Sequence, residues 1–95
     1  MAKGYVIARA MVTDQQKWAE YAEMASGAMK TYGGTPIVRG GRCEVAEGEG
    51  RARNVVIEFA SFDDARAYAH SQEYNAARLK RIGAGVIDIV VVEGA

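Results

Sequence analysis

The sequence predicts an α+β fold in which four strands and two helices follow the order β-α-β-β-α-β. Short runs have apolar residues at every second position, which is typical of strands with one buried face. Two longer stretches have apolar residues at three- and four-residue steps, which is typical of amphipathic helices. This order predicts a ferredoxin-like sandwich with an antiparallel sheet of strand order 4-1-3-2. The helices cover one face of such a sheet and leave the other face bare.

The first strand is predicted over residues 4–12, because alternate residues form one wholly apolar face: Val6, Ala8, Ala10 and Val12. Thr13 is predicted to cap the helix that follows, with Gln16 as its capping-box partner. That helix has an apolar stripe made of Trp18, Tyr21, Ala22, Ala25, Ala28, Met29 and Tyr32. The pair Gly33 and Gly34 is predicted to end the helix, since glycine readily adopts a positive φ.

The middle of the chain supplies two further strands. A short second strand is predicted over Thr35–Arg39, and Pro36 restricts it to a sheet edge or to its first pairs. Extended structure is expected to resume over Cys43–Glu47 after a glycine bend. The third strand is predicted over Asn54–Ala60, with one apolar face made of Val55, Ile57 and Phe59.

The last third of the chain supplies the second helical region and the final strand. Ser61 is predicted to cap the second helix, whose apolar stripe is Phe62, Ala65, Tyr68 and Ala69. Ser71 is predicted to cap a further turn or a short additional helix. The final strand is predicted over Gly85–Glu93, where one face is wholly apolar: Ile87, Ile89 and Val91.

Size and composition limit the possible functions. The chain has 95 residues, which predicts a single domain over residues 1–95. Its 12 basic and 12 acidic residues cancel, so no net field favours nucleic acid as a partner. The lone cysteine, Cys43, fits a reducing cytoplasm, and no apolar run resembles a signal peptide or a membrane span. One histidine and one cysteine cannot form a His/Cys metal site, so neither a metal nor a cofactor is expected.

The predicted bare face of the sheet carries one charge on each of three strands: Arg9, Glu58 and Asp88. Because the first strand lies between the other two, we expect Arg9 to lie within reach of Glu58, Asp88 or both. The surrounding residues are mostly apolar: Tyr5, Ile7, Met11, Val56, Val90 and Val92. Apolar patches of that kind mark association surfaces, so a homodimer is expected. The alternative is a solvated sheet face with a few surface apolar residues.

Segments spread along the whole chain resemble those of one protein family. They include Gly4-Tyr5, Val12-Thr13-Asp14, Lys30-Thr31-Tyr32-Gly33-Gly34, Val38-Arg39-Gly40-Gly41, Glu47-Gly48, Val55-Val56-Ile57-Glu58-Phe59, His70-Ser71-Gln72-Glu73-Tyr74 and Val92-Glu93-Gly94. In this order and spacing they resemble the domain of unknown function 1330 family, a branch of the dimeric α/β-barrel superfamily. Two residues depart from the family pattern: Gln72 stands where proline is frequent, and Val6 where tryptophan is common.

The resemblance implies a homodimer in which two sheets pack into a barrel with the helices outside. It implies no activity, because none is established for the family. Relatives in the superfamily include cofactor-free monooxygenases, muconolactone isomerases and haem-degrading enzymes, which bind their ligand between the helices and the sheet. Function inferred at the level of the fold is an analogy only.

Two groups of residues are candidates for a small-molecule site. The candidate catalytic residues are His70, Tyr32 and Glu47. The candidate ligand-binding residues are Arg39, Tyr74 and Arg78. Arginine would hold a carboxylate or enolate, tyrosine would donate a hydrogen bond to negative charge, and histidine would move protons near neutral pH. If these residues converge, they form a pocket for a small anionic or oxygenated aromatic ligand.

Each candidate also has a purely structural interpretation. Tyr32 fits a core aromatic residue with its hydroxyl group at the surface, and Arg39 with Glu47 fits an ion pair that supports the bent strand. Residues that fit surface roles are His70, Tyr74 and Arg78. Trp18 is interpreted as a packing residue. Three functions therefore stay open: a cofactor-independent oxygenase or isomerase, a non-catalytic ligand-binding or stress-related protein, and a structural dimerisation module.

Overall fold

The structure is a computed structural model, and it describes residues 2–95. These residues form, in chain order, β1 (Gly4–Val12), α1 (Gln15–Thr31), β2 (Thr35–Arg39), β3 (Arg53–Phe59), α2 (Phe62–Ala69), α3 (Gln72–Lys80) and β4 (Gly85–Glu93). The strands form one antiparallel sheet of order β2-β3-β1-β4, which is 4-1-3-2 read from the opposite edge. The predicted ferredoxin-like fold is confirmed, and α3 is the short additional helix.

Strand β1 lies at the centre of the sheet because β3 and β4 both pair with it. Val6 lies opposite Ile57 on one side and Val91 on the other, so the apolar residues of three strands share one face. The helices pack on this face, which we call the covered face. The hydrophobic core lies between it and the helices and contains Val6, Ile57, Phe59, Tyr21, Ala28, Met29, Ala65, Tyr68, Tyr74 and Ala77. We call the opposite face the open face.

The beginning of α1 differs by one residue from the prediction. Asp14 caps the helix, and its carboxylate accepts a hydrogen bond from the backbone N–H of Lys17 at 3.1 Å. The backbone N–H groups of Thr13 and Asp14 both donate to the carbonyl oxygen of Ala84, at 2.6 and 3.1 Å. These bonds tie the segment before the helix to the turn before β4. The prediction that Thr13 is the cap is therefore wrong, because a long-range contact sets the boundary.

The end of α1 is the predicted glycine turn. Gly33 has a φ of +77°, and its N–H donates to the carbonyl of Lys30 at 3.2 Å. The N–H of Gly34 donates to the carbonyl of Met29 at 2.9 Å, which completes a Schellman motif. A Cβ at Gly34 would lie 2.7 Å from the ring of Phe59, so this turn packs directly on the core.

Two serines begin the later helices, as predicted. The hydroxyl of Ser61 accepts a hydrogen bond from the N–H of Asp64 at 3.1 Å. The hydroxyl of Ser71 accepts from the N–H of Tyr74 at 3.0 Å and donates to the carbonyl of Tyr68 at 2.8 Å. Ser71 is buried, so this hydroxyl joins the end of α2 to the start of α3 inside the protein. It thereby helps to fix the position of Tyr74.

The segment between β2 and β3 does not continue the sheet. Residues 43–47 were expected to be extended, and within the described chain they form no strand. The pairing of β2 with β3 ends at Arg39 and Val55, and the chain then leaves the sheet until β3 begins at Arg53. Strand β3 itself covers Arg53–Phe59 and begins and ends one residue earlier than predicted.

The open face carries two ion pairs, and neither is the expected one. Lys3 Nζ lies 2.9 Å from Glu58 Oε1, and Arg51 Nη2 lies 2.8 Å from Asp88 Oδ2. Arg9 lies opposite Asp88 in the strand register, yet it forms no ion pair within residues 2–95. The register confirms the expectation that Arg9 lies within reach of Asp88, but no ion pair forms between them, because residues outside the strands reach both carboxylates.

The open face also exposes large apolar side chains. They include Met11, Val38, Val86, Val90 and Val92, each at least 42% exposed. These side chains share one face of the sheet rather than being scattered singly over the surface, which is typical of an association surface. Among the helices that lie within residues 2–95, none is both long enough and apolar enough to span a bilayer.

Candidate functional site

A cavity of about 90 Å³ lies between α1 and the covered face of the sheet. We call it the sheet cavity. Most of its wall is apolar, with Val6, Ala25, Met29, Val55, Ile57 and Ile89 among the lining residues. None of its lining residues in the described chain is a carboxylate. Its polar groups are therefore hydroxyls, an indole N–H and guanidinium groups.

Two arginines bring positive charge to the sheet cavity. Arg39, at the end of β2, donates from Nη2 to the hydroxyl of Ser26 at 3.3 Å. Arg53, at the start of β3, places its guanidinium carbon 5.7 Å from the centre of the Trp18 ring. Gly40 makes room for this arrangement, since a Cβ there would lie 2.6 Å from Arg53 Nη1. The cation–π contact holds the Arg53 side chain over the indole.

Two buried N–H donors at the sheet cavity have no hydrogen-bond acceptor within residues 2–95. They are Trp18 Nε1 and Arg53 Nε. A buried donor without an acceptor costs about 1–3 kcal/mol, so native proteins rarely retain one without a reason. Both donors belong to residues that line the cavity, so they are candidates to bind an oxygen atom of a ligand there. The donor set thus favours a ligand that accepts hydrogen bonds and carries negative charge.

A pair of tyrosines forms part of the same wall. The hydroxyl oxygens of Tyr21 and Tyr74 lie 2.9 Å apart and are hydrogen bonded to each other. Burial raises the pKa of Tyr21 well above its usual value, and the neighbouring Tyr74 raises it further. Burial likewise raises the pKa of Tyr68, which packs against Tyr74 with ring centres 5.2 Å apart. The phenols of Tyr21 and Tyr68 therefore stay protonated at neutral pH and cannot act as general bases there.

A second, wider depression of about 460 Å³ lies between α2, α3 and β4. We call it the arginine groove, because its lining residues include Arg66, Arg78 and Arg81. Ile87, Ile89 and Val91 of β4 also line it. Tyr74, Ile87 and Ile89 line both the sheet cavity and the groove, so the two sites are neighbours that share a wall.

The structure divides the predicted site residues between these two places. Arg39 and Tyr74 line the sheet cavity, whereas His70, Tyr74 and Arg78 line the arginine groove. The spacing of Tyr74 and Arg78 does place both on one side of α3, where they share the groove. The catalytic and binding roles assigned to these residues stay predictions.

The remaining two candidates lie elsewhere. The hydroxyl of Tyr32 donates a hydrogen bond to Glu73 Oε1 at 3.1 Å near the surface. This hydrogen bond is the main cause that raises the pKa of Tyr32. Glu47 is exposed in the segment between β2 and β3 and is not a lining residue of the sheet cavity or the groove. The six candidates therefore do not converge on one pocket.

Sequence reasoning missed Trp18 and Arg53 as site residues. Trp18 was interpreted as a packing residue because it lies in the apolar stripe of α1. A signal for Arg53 was present, since the alternation of Val55, Ile57 and Phe59 places Arg53 on the same face. A charged residue on a largely apolar, covered face requires a partner. The position of Arg53 in this pattern therefore pointed to a site on the covered face near the start of β3.

The comparisons with known proteins agree with the fold. The family described as Domain of unknown function (DUF1330) matches residues 3–95. A protein of unknown function from Rhodopseudomonas palustris is 14% identical, with a TM-score of 0.75 over 99% of this chain and 83% of that one. A Caulobacter crescentus protein, provisionally named an antibiotic biosynthesis monooxygenase, is 18% identical, with a TM-score of 0.61 over 99% and 91%.

A third solved structure bears on assembly. It is a protein of unknown function from Bacteroides fragilis that is described as dimeric and ferredoxin-like. It is 16% identical to this chain, with a TM-score of 0.57, and the match covers 96% of this chain and 95% of that one. At these identities the likeness concerns the fold. No protein with a curated description matches the chain.

Proposed function

Since this chain belongs to the domain of unknown function 1330 family, whose description names no activity, we propose a function from its own geometry. Each subunit binds a small, largely apolar oxyanion, such as a carboxylate or an enolate on a single ring, in the sheet cavity. One observation carries the proposal. The cavity has mostly apolar walls, its lining includes Arg39, Arg53 and Trp18 but no carboxylate, and two N–H donors of that lining are buried without an acceptor in the described chain.

The chemistry of these donors fits an oxyanion better than a neutral ligand. A guanidinium presents several N–H donors in a planar fork that matches the two oxygens of a carboxylate. Arg53 and Trp18 are partly buried, so the attraction between opposite charges there is stronger than in open water. A cavity of about 150 Å³ in another protein holds benzene. The sheet cavity is smaller, at about 90 Å³, but it is partly open, so it holds a short-chain acid in full and a single small ring only with part of the ring outside.

We further propose that the protein is a homodimer that joins two open faces. The support is the exposed apolar side chains of that face, such as Met11, Val86 and Val90, which are at least 50% exposed. Proteins of the same fold, including the Bacteroides fragilis protein, are described as dimeric. The helices would then lie outside, and both sheet cavities would stay accessible. The exposed free thiol of Cys43 fits the cytoplasm, which we propose as the location.

A second candidate function is cofactor-independent oxygenation. The name of the Caulobacter crescentus protein favours it, and so does the donor set, which would stabilise the enolate that such a reaction requires. Against it, the tyrosines Tyr21 and Tyr68 have raised pKa values and cannot take a proton from the substrate. The substrate would have to arrive ionised. Binding is therefore the better-supported function.

Calorimetric titration with benzoate at neutral pH tests the binding proposal. We expect saturable binding at one site per chain, weakened at least about tenfold in Arg53→Met, since a charge-assisted hydrogen bond contributes more than about 1.4 kcal/mol. Arg42→Met is the matched control, because Arg42 lies exposed in the segment between β2 and β3. Trp18→Phe keeps the ring but removes the N–H and should weaken binding by a smaller factor.

Equal losses of benzoate affinity in Arg53→Met and Arg42→Met would show that benzoate binding depends only on the net charge of the protein, and the proposal would fail. The oxygenase candidate has a separate readout. An oxygen electrode should record protein-dependent oxygen uptake with an air-oxidisable hydroquinone, and this uptake should fall in Arg53→Met. A hydroquinone that binds without oxygen uptake would leave binding as the function.

A further inference from the structure

The arginine groove collects positive charge from two helices. Arg66 and His70 lie four residues apart at the end of α2, and Arg78 and Arg81 lie three residues apart at the end of α3. Residues at these spacings share one side of a helix, and all four line the groove. No carboxylate is among the groove's lining residues in the described chain.

The groove arginines have no acidic partner within residues 2–95. The ion pairs of this part of the chain join Lys3 to Glu58 and Arg51 to Asp88, and both lie on the opposite face of the sheet from the groove. Asp63 lies near the rim, where it lines a shallow neighbouring depression with Arg66 and His70. The guanidinium groups of Arg78 and Arg81 do not line that depression, and neither forms an ion pair with a carboxylate of the described chain.

Arg81 is the most deeply placed of these side chains. Its guanidinium carbon lies 5.3 Å from the centre of the Tyr21 ring, and its Nε is buried without an acceptor within residues 2–95. The ring therefore holds the guanidinium in place while one of its donors stays free. Arg78, one turn earlier and exposed, adds a second guanidinium to the same groove. Like charges that line one groove repel each other, and a bound anion would offset that repulsion.

We propose that the arginine groove binds the phosphate group of a small phosphomonoester, at a site separate from the sheet cavity. Three guanidinium groups match a doubly charged tetrahedral anion, because each can donate two parallel hydrogen bonds to its oxygens. The apolar floor made by Ile89 and Val91 would receive the organic part of the ester. The groove volume of about 460 Å³ is ample for such a molecule, since ligand pockets usually measure about 300–1,000 Å³.

A purely structural role makes a different prediction. Basic residues at a helix C-terminus interact favourably with the helix dipole, and Arg78, Lys80 and Arg81 all lie there on α3. That role requires no anion and does not distinguish Arg78 from Lys80. A phosphate site does distinguish them, because Arg78 lines the groove and Lys80 does not.

Calorimetric titration with phenyl phosphate at neutral pH and low salt tests the proposal. We expect one saturable site per chain, with inorganic phosphate binding more weakly at the same site because it lacks the apolar group. Arg78→Gln should weaken phenyl phosphate binding at least about tenfold, the loss of a charge-assisted hydrogen bond. Lys80→Gln removes the same charge from the same helix and should weaken it less than about threefold.

The proposal would be overturned if phenyl phosphate showed no saturable binding, or if Arg78→Gln and Lys80→Gln lost equal amounts of phenyl phosphate affinity. The Arg53→Met variant separates this site from the sheet cavity. Phenyl phosphate binding that survives in Arg53→Met and is lost in Arg78→Gln supports a separate site. Binding that is lost in Arg53→Met and survives in Arg78→Gln places the probe in the sheet cavity and overturns this inference alone.

Discussion

The covered and open faces of the sheet are built by the same strands from similar residues, yet their environments differ sharply. On the covered face Ile57 and Phe59 are 8% and 1% exposed, whereas on the open face Met11 and Val90 are 50% and 54% exposed. Strand alternation produces an apolar row on each side, and only one row meets the helices. This difference indicates that the covered face stabilises the folded chain, whereas the open face is suited to association.

The charges of the two faces differ as well. On the open face Glu58 and Asp88 are paired with Lys3 and Arg51, and exposed Arg9 is left without an ion pair in the described chain. On the covered face Arg53 stacks on Trp18 and has a buried donor without an acceptor in the described chain. Paired charges are compatible with the approach of a second copy, whereas an unsatisfied donor on a covered face indicates a ligand site.

The largest expected effect comes from the covered face. Phe59→Ala should lower the free energy of unfolding by about 3–5 kcal/mol, because it leaves a cavity in the centre of the core. Urea denaturation at fixed protein concentration measures this loss. Val90→Ala, on the open face, should act through association only, so that its effect disappears as the protein is diluted. A concentration-independent loss in Val90→Ala comparable to that of Phe59→Ala would erase the contrast between the faces.

A smaller effect is expected at the tyrosine pair behind the covered face. Tyr21→Phe should lower the free energy of unfolding by about 1–3 kcal/mol, since the buried hydroxyl of Tyr74 loses its partner. Burial raises the pKa of Tyr21 above its ordinary value of 10.0 in the folded state. The protonated hydroxyl therefore contributes to the stability of the fold below pH 10.0, and this contribution is lost as the pH rises further. Thermal denaturation across alkaline pH should therefore show a shallower decline in Tyr21→Phe than in the wild type. An unchanged decline would contradict the assignment.

The smallest effect is expected at an exposed ion pair of the open face. The hydrogen bond from Lys3 lowers the pKa of Glu58, so its contribution to stability is present above pH 4.5 and is lost as the pH falls below it. Lys3→Met should remove most of that acid-dependent step, since only the longer hydrogen bond from Tyr5 to Glu58 then remains, and it should change little else, because the pair is exposed and screened by salt. Melting temperatures measured through the acid range, with exposed Lys30→Met as the control, report this change. An acid step that persists in Lys3→Met would show that another group causes it.

Sequence reasoning succeeded where structure depends on neighbouring residues. The alternation of β1, β3 and β4, the serine caps at Ser61 and Ser71 and the turn at Gly33 are local features, and each is confirmed. Sequence reasoning failed where a residue that is distant in the sequence determines the local structure. The carbonyl of Ala84 accepts hydrogen bonds from the N–H groups of Thr13 and Asp14, and the helix cap is Asp14 instead of Thr13. Asp88, which Arg9 was expected to bind, forms its ion pair with Arg51.

The candidate site was predictable only in part, for the same reason. Arg39 and Tyr74 were identified from residue type, and both line the sheet cavity. Trp18 and Arg53 were missed, because their contact brings together two residues that are 35 positions apart in the sequence. The two separate pockets depend on the packing of α3 against α1, which residue spacing alone does not describe.

Sedimentation equilibrium of the wild-type protein at micromolar concentration tests most directly the claim that a second copy covers the open face. We expect a particle of twice the 10.2 kDa chain mass for the wild type and a single chain for a Val90→Lys variant. A wild-type protein of 10.2 kDa under these conditions would contradict the account, because the apolar side chains of the open face would then be stable in contact with water.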